Sequence, residues 1–254
     1  MKIAVGISGG KDSTALLLWV LENIEGEIYP VFADTKWEHP LNYEYLNYLQ
    51  DKLGIKIYKV TCERFDGMLD LIRKKKMFPS YHRRFCTHYL KIKPIIKFLR
   101  ENDIDVYVLG VRLDESTYRT KKYANINPDK WYEASDIFPY CPKSLKTRIR
   151  LPLLKWSEGD VISYIKWKGI KINPLYEKYR RVGCYPCLIS SRDMESVMRE
   201  PLGLERVGKL LKLEEELNSE GFHTRIHPDV KKADEIRELY YAHKPAQNRL
   251  SLQG

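Results

Sequence analysis

Two groups of residues have types and spacing that can do chemistry. The first is Ser8-Gly9-Gly10-Lys11-Asp12-Ser13, set between a β-branched apolar run, Ile3 to Ile7, and a segment with Leu16, Leu17, Val20, Leu21 and Ile24 at helical spacing. Adjacent glycines permit a tight turn that brings backbone N–H groups to an anion, and the helix that follows points its positive end at the same place. Lys11 adds a mobile charge, while Ser8 and Ser13 add hydroxyl donors. The pattern is a phosphate site. It differs from G-x-x-x-x-G-K-[ST] because its glycines are adjacent and Lys-Asp-Ser follows them.

The second group is the cysteines: Cys62, Cys86, Cys141, Cys184 and Cys187. Cys184-Tyr185-Pro186-Cys187 is a C-x-x-C behind Asn173-Pro174-Leu175-Tyr176. Such a pair can be a redox couple, half of a zinc site or part of an iron–sulfur site. A redox couple belongs at a helix start in a thioredoxin-like unit, which is not this context. Zinc needs four ligands, and Cys86 with Cys141, or a histidine such as His82 or His88, would supply the rest. Cys62 ends a predicted strand and reads most simply as core. Five cysteines in 254 residues are an odd number and too sparse for a disulfide scaffold, which predicts a reduced, cytoplasmic protein.

The elements that must hold these groups alternate over the first hundred residues. Strands are predicted at 3–7, 27–33, 55–60 and 105–111, with helices at 13–24, 41–53, 65–76 and 91–102. The fold class is α/β, a mainly parallel doubly wound sheet. After Arg112 the alternation stops: residues 116–150 form a polar excursion, Ser157 caps a helix over 158–168, and the chain is helical from about 191 onward. This predicts a nucleotide-binding domain over 1–155 and a helical, cysteine-bearing region over 156–254. The longest apolar run, Ala15 to Leu21, is far short of the roughly 20 residues that span a bilayer, and Met1-Lys2 leads straight into a strand; neither signal peptide nor membrane span is expected.

Charge is uneven. The chain carries +10, yet Arg73 to Lys97 alone holds nine basic residues and no acidic one, Lys143 to Arg181 sums to +8, and the remainder is −7. Either the lysines form a solvated surface, or the two stretches face an anionic partner larger than a metabolite.

The complete loop at the first strand–helix junction resembles the pyrophosphate loop of the ATP-pyrophosphatase (adenine nucleotide alpha hydrolase-like) superfamily. That resemblance implies cleavage of ATP between its α and β phosphates. Ser8, Gly9, Gly10, Lys11 and Ser13 would hold the leaving pyrophosphate, and Asp12 would position Mg²⁺ or the loop itself. Four further segments resemble the PAPS reductase family in its own order: Phe32-Ala33-Asp34-Thr35 with Glu38-His39-Pro40; Cys86-Thr87-His88-Tyr89-Leu90-Lys91-Ile92-Lys93-Pro94; Gly110-Val111-Arg112 through Glu115-Ser116 to Arg119; and Pro152-Leu153-Leu154-Lys155-Trp156 with Asp160-Val161 and Tyr164-Ile165. They imply nucleotide-binding roles for Asp34 and Gly110 and a catalytic role for Arg112 beside Lys11 and Asp12.

Two departures from the reductases point to the sulfur-inserting branch, the DNA phosphorothioation and transfer-RNA thiolation enzymes. The reductases usually lack the Lys-Asp pair in this loop and carry a nucleophilic cysteine in a C-terminal tail, whereas the last cysteine here is Cys187. Asn173-Pro174-Leu175-Tyr176 with Cys184 and Cys187, together with the Cys86 segment, resembles the cluster ligands of the assimilatory APS reductases and the iron–sulfur phosphorothioation enzymes, which implies a [4Fe-4S] cluster on Cys86, Cys184 and Cys187, with Cys141 the best candidate for a fourth ligand. The expected partners are ATP, a nucleic acid (DNA or tRNA) and a cysteine desulfurase or other sulfur donor, with a homodimer allowed for. Tyr176, Tyr179 and Tyr185, interleaved with Lys178, Arg180 and Arg181, are candidates for stacking on bases. The alternative is a PAPS/APS reductase that releases sulfite; a nucleic-acid-binding subunit using ATP only as a switch is the third reading.

Overall fold

The computed structural model describes residues 1–137, 141, 142, 144–190 and 193–244. Six strands form one sheet in the order β3-β2-β1-β4-β6-β5: β1 (Lys2–Ile7), β2 (Glu27–Ala33), β3 (Tyr58–Val60), β4 (Val106–Val108), β5 (Tyr132–Glu133) and β6 (Arg148–Arg150). All neighbours are parallel except β5 and β6, so the edge strand alone runs backwards. The four expected strands are β1 to β4. The polar excursion supplies β5 and β6 as short additions at the far edge.

Alternation along β1 sorts its side chains into two layers. Ile3, Val5 and Ile7 pack with Leu16 and Leu17 of α1 (Lys11–Asn23) and Leu46 and Leu49 of α2 (Pro40–Leu53). Ala4 faces the opposite layer with Val31, Tyr107 and Ile149. Ile96 and Leu99 cover that face; they belong to α5 (Lys93–Glu101), which continues without a break from α4 (Phe85–Thr87) and a π-type turn, His88–Ile92. Val161 and Ile165 of α8 (Glu158–Trp167) lie in the first layer beside β1, although they fall beyond the boundary expected at residue 155. Ser157 caps α8 with a reciprocal Asp160 bond, as its sequence predicts.

A third apolar cluster joins α3 (Gly67–Lys75) to the C-terminal helices α9 (Met194–Met198), α10 (Pro201–Ser219) and α11 (Val230–His243). It contains Cys86, Tyr179 and Tyr185, so the C-terminal layer packs directly behind the cysteine segment. Two short helices, α6 (Thr117–Lys122) and α7 (Ala134–Ile137), lie between β4 and β6 in the chain. Among the described residues no helix is long and apolar enough to cross a membrane.

Candidate active site

Strand β1 sits between β2 and β4, so the loops leaving the C-terminal ends of β1 and β4 diverge and open a crevice, the usual ligand position in such sheets. Residues 8–13 follow β1 and Gly110 follows β4. Gly9 turns with φ +76°, and a Cβ there would stand 2.0 Å from Asn42 Oδ1, so both backbone and space demand glycine. Gly9→Ala is expected to lower stability by about 2 kcal/mol or more, from the left-handed conformation together with displacement of Asn42; a thermal melt checks it. Gly110 serves another purpose: a Cβ there would meet the Asp12 carbonyl oxygen at 3.0 Å, so glycine lets β4 approach the first turn of α1.

The loop is held from outside. Asn42 Nδ2 donates to the Ser8 carbonyl at 3.1 Å, and Asn173 Nδ2 donates to the Gly9 carbonyl at 2.9 Å and to Asn42 Oδ1 at 3.0 Å. Ser13 Oγ donates to the Gly10 carbonyl at 2.9 Å and accepts from the Ser8 amide at 3.1 Å, so it shapes the loop. Gly10 caps α1 without a capping side chain, which leaves the Asp12 and Ser13 amides of the first turn for an anion in the crevice. The Lys11 amide donates to Tyr176 Oη at 3.1 Å. Its ammonium, on a side chain only 10% exposed, lies 4.6 Å from the Tyr176 ring centroid and 3.5 Å from Glu158 Oε1.

Arg112 is 2% exposed and its guanidinium is bound on two sides, by Asp12 and by Asp114, with the Trp156 carbonyl at 3.4 Å. Asp12, in the loop, is thus ion-paired to Arg112, and Arg112, expected to be catalytic, is enclosed by the carboxylates of Asp12 and Asp114. Removing one member of a buried ion pair costs about 3–5 kcal/mol. Asp114 is 45% exposed, so Arg112→Met is expected to cost less, about 2–3 kcal/mol, a fall of several degrees in Tm by calorimetry. Asp34, just past β2, accepts from the Lys36 amide at 2.8 Å and the Tyr43 hydroxyl at 2.7 Å.

The cysteines divide. Cys86, Cys184 and Cys187 line one cavity of about 150 Å³ with Thr35, Arg84, Lys91, Arg181, Met194 and Val197. Cys86 lies in α4 and Lys91 in the π-type turn that continues it, and both side chains reach that wall. Burial pushes the Cys184 thiol up to about 12, against the pull of Lys91, and burial also raises Cys86. Charge on Cys184, and then on Glu38, raises Lys91 above the ordinary lysine value despite burial, so a thiolate formed here has a cation beside it. Cys184 also lies 3.6 Å from Thr35 Oγ1 and 3.8 Å from Glu38 Oε1, and residues 38 and 184 form an isolated antiparallel bridge.

Cys141 is not with the other three. It is partly buried against the Ile96, Leu99 and Leu145 layer, with its Sγ 3.8 Å from the Pro142 carbonyl, and it feels Arg100. Among the described residues no group of three or more His, Cys, Asp or Glu side chains is arranged to hold a single metal ion. Cys62 packs at the edge of the third cluster. The tyrosines expected to stack on bases are occupied: Tyr179 and Tyr185 are each 5% exposed and share a 3.0 Å hydroxyl contact, and Tyr176 supports Lys11.

With this geometry in view, residues 2–189 match the phosphoadenosine phosphosulfate reductase domain. The chain belongs to the PAPS reductase family. Relatives of this PAPS reductase-family chain include the "Uncharacterized 37.8 kDa protein in gpa 5'region" of Escherichia phage 186, 30% identical over 81% of this chain and 73% of that protein. The "Uncharacterized protein MJ0066" of Methanocaldococcus jannaschii is 30% identical over 78% of this chain but only 38% of its own length. An adenosine 5'-phosphosulfate reductase of Staphylococcus epidermidis is 28% identical over 73% of this chain and 70% of that protein. Among solved structures, a PAPS reductase from Candida auris superposes with TM-score 0.52 at 13% identity, covering 73% of this chain and 82% of that one. The U34-tRNA thiolase NcsA from Methanococcus maripaludis, with its [4Fe-4S] cluster, superposes with TM-score 0.51 at 20% identity, covering 86% and 72%. These two likenesses establish the α/β fold.

Proposed function

We propose that the protein is an ATP-dependent sulfurtransferase that cleaves ATP to AMP and pyrophosphate, adenylates an acceptor and places sulfur on it. One observation carries the reading. The segment from Asn173 to Cys187 binds the phosphate loop at one end, through Asn173 and Tyr176, and supplies two thiols of the cavity at the other. A nucleotide activated on the loop and a sulfur-bearing thiol site are therefore built on one stretch of chain.

Within that scheme, Lys11 and the first-turn amides of α1 neutralise the charge that grows on the departing pyrophosphate. Asp12 and Arg112 keep the loop in shape, so Arg112 is a positioning residue. Mg²⁺ would accompany the phosphates. Three thiols beside the Lys91 cation fit the donor set of an iron–sulfur cluster, because each thiolate there binds its own iron and the three need not converge on one ion. Cys86, Cys184 and Cys187 would hold the [4Fe-4S] group, which when bound supplies an iron lacking a protein thiolate and able to carry sulfide.

The acceptor is proposed to be DNA or tRNA. Much of the basic charge is already paired: Arg73, Lys74, Lys76 and Lys97 with carboxylates of residues 216, 70, 220 and 63, and Lys168 and Lys178 with Glu22 and Glu200. Arg83, Arg84 and Arg180 form no ion pair among the described residues, and Arg84 and Arg181 line the thiol cavity. Lys91 lines it too, while Arg181 is paired with Glu115 at 3.8 Å, so Arg84 and Lys91 are the basic residues that leave charge without an ion pair at the cavity, where a phosphate backbone would lie.

A reductase of adenylyl sulfate is the second reading, favoured by the likeness to the Staphylococcus epidermidis enzyme. The two separate on products: pyrophosphate from ATP, dependent on added tRNA or DNA, against sulfite from adenylyl sulfate with thioredoxin.

A further inference from the structure

We infer that Arg206 of α10, outside the residues matched by the family, is a positioning residue that fixes the Cys184–Cys187 segment against the end of β2 by binding main-chain carbonyls on both sides of the bridge between Glu38 and Cys184. One guanidinium nitrogen donates to the carbonyls of Trp37 at 3.1 Å and Tyr185 at 2.7 Å, and another to the carbonyl of Glu38 at 3.0 Å. The guanidinium also lies 4.8 Å from the centroid of the Trp37 ring. Three carbonyls on two strands match a planar fork with several fixed donors; an ammonium cannot reach all three in one geometry.

The arrangement is a clamp rather than an ordinary ion pair. Arg206 forms no ion pair among the described residues, so a partly enclosed cation is devoted to neutral backbone acceptors, which is worthwhile where those strands must stay in place. The strands themselves have little other fastening. Besides the long Cys184 thiol contacts with Thr35 and Glu38, their direct bonds among the described residues are the Tyr185 amide to the Trp37 carbonyl at 2.7 Å and the Trp37 indole to the Pro186 carbonyl at 3.1 Å. Glu200, which precedes α10, makes a second tie, accepting from the Tyr185 hydroxyl at 3.1 Å and from Lys178 at 2.6 Å. Met194 and Val197 of α9 wall the same cavity. The C-terminal layer therefore helps to wall the thiol cavity, and among the described residues its hydrogen bond to the Cys184–Cys187 backbone comes from Arg206.

The test reads metal-free, reduced protein, so its outcome is independent of ATP cleavage and of the sulfurtransferase reading. Alkylation of each cysteine by iodoacetamide is followed by mass spectrometry. Arg206→Met is expected to speed alkylation of Cys184 by roughly tenfold, the equivalent of about 1.4 kcal/mol of easier local opening, with Cys141 unchanged and ATP affinity of the loop within about twofold. Arg206→Lys, which keeps the charge without the fork, falls between. Leu217→Ala, a truncation of the same helix at a residue 1% exposed, lowers Tm without changing the Cys184 rate. An unchanged Cys184 rate in folded Arg206→Met, or an equal rise in Leu217→Ala, overturns the assignment. If Arg206→Met does not fold, Arg206→Lys decides: faster alkylation at Cys184 supports the clamp, and an unchanged rate overturns it.

Discussion

Lys11→Ala is expected to lower pyrophosphate release from ATP by about 10²–10³-fold, the loss typical when one preorganised donor to developing charge is removed. The site explains the size. The Lys11 side chain is enclosed, with its ammonium beside the Tyr176 ring and its amide fixed by the Tyr176 hydroxyl. Charge delivered from such a position needs little reorganisation when phosphate arrives, and water does not replace it well. Stability should barely change, because Glu158, its ion-pair partner, is 61% exposed and such pairs contribute about 0–1 kcal/mol. A loss of activity with an unaltered melting curve therefore assigns Lys11 to chemistry. Comparable loss of both would assign it to folding.

Cys184→Ser is expected to reduce iron and sulfide bound after anaerobic reconstitution by at least about tenfold, since a coordinating thiolate is lost outright. Cys86→Ser and Cys187→Ser should behave alike. Cys141→Ser should not, because Cys141 packs in the opposite layer near Arg100 while the other three line one cavity. Iron analysis and the anaerobic visible spectrum of the four variants check this. Equal loss in Cys141→Ser would show that the chain rearranges to bring a fourth thiolate in; a colourless, iron-free wild type after reconstitution would remove the cluster from the account.

The parallel core could be read from residue pattern because β1, β2 and β4 are short β-branched runs separated by helices with apolar faces, and each such signal is local. The Ser8–Ser13 loop is legible as a candidate phosphate site for the same reason: all six of its residues are consecutive. What the pattern could not supply are contacts made at long range. Asn42, Asn173 and Tyr176 converge on the loop from 34 to 165 positions away, and only Asn173-Pro174-Leu175-Tyr176 stood out, without showing what it touches. Spacing also gave no means of separating Cys141 from the other cysteines, since the sheet places it on a different layer. The helical run begins at Phe85 rather than near Lys91 because the basic, aromatic stretch around it has no clean 3.6-residue period, and a π-type turn interrupts it. Arg206 was silent for a simpler reason: its partners are backbone carbonyls, which carry no side-chain signature.

The charge pattern was only half informative. Nine basic residues without an acidic one between Arg73 and Lys97 suggested an open basic surface, but carboxylates from α3, from α10 and from residue 63 meet four of them in space. Of the residues that form no ion pair among the described residues, Arg84 and Lys91 stand beside the thiols.

The central claim is that ATP is cleaved between its α and β phosphates at the Ser8–Ser13 loop for transfer to a polyanionic acceptor. It is tested most directly by measuring pyrophosphate released from ATP by the anaerobically reconstituted protein, with and without added tRNA or DNA, alongside sulfite released from adenylyl sulfate and thioredoxin. The account predicts pyrophosphate that rises with nucleic acid and vanishes in Lys11→Ala, with no sulfite. Sulfite production by a protein that releases no pyrophosphate under any of these conditions would contradict it.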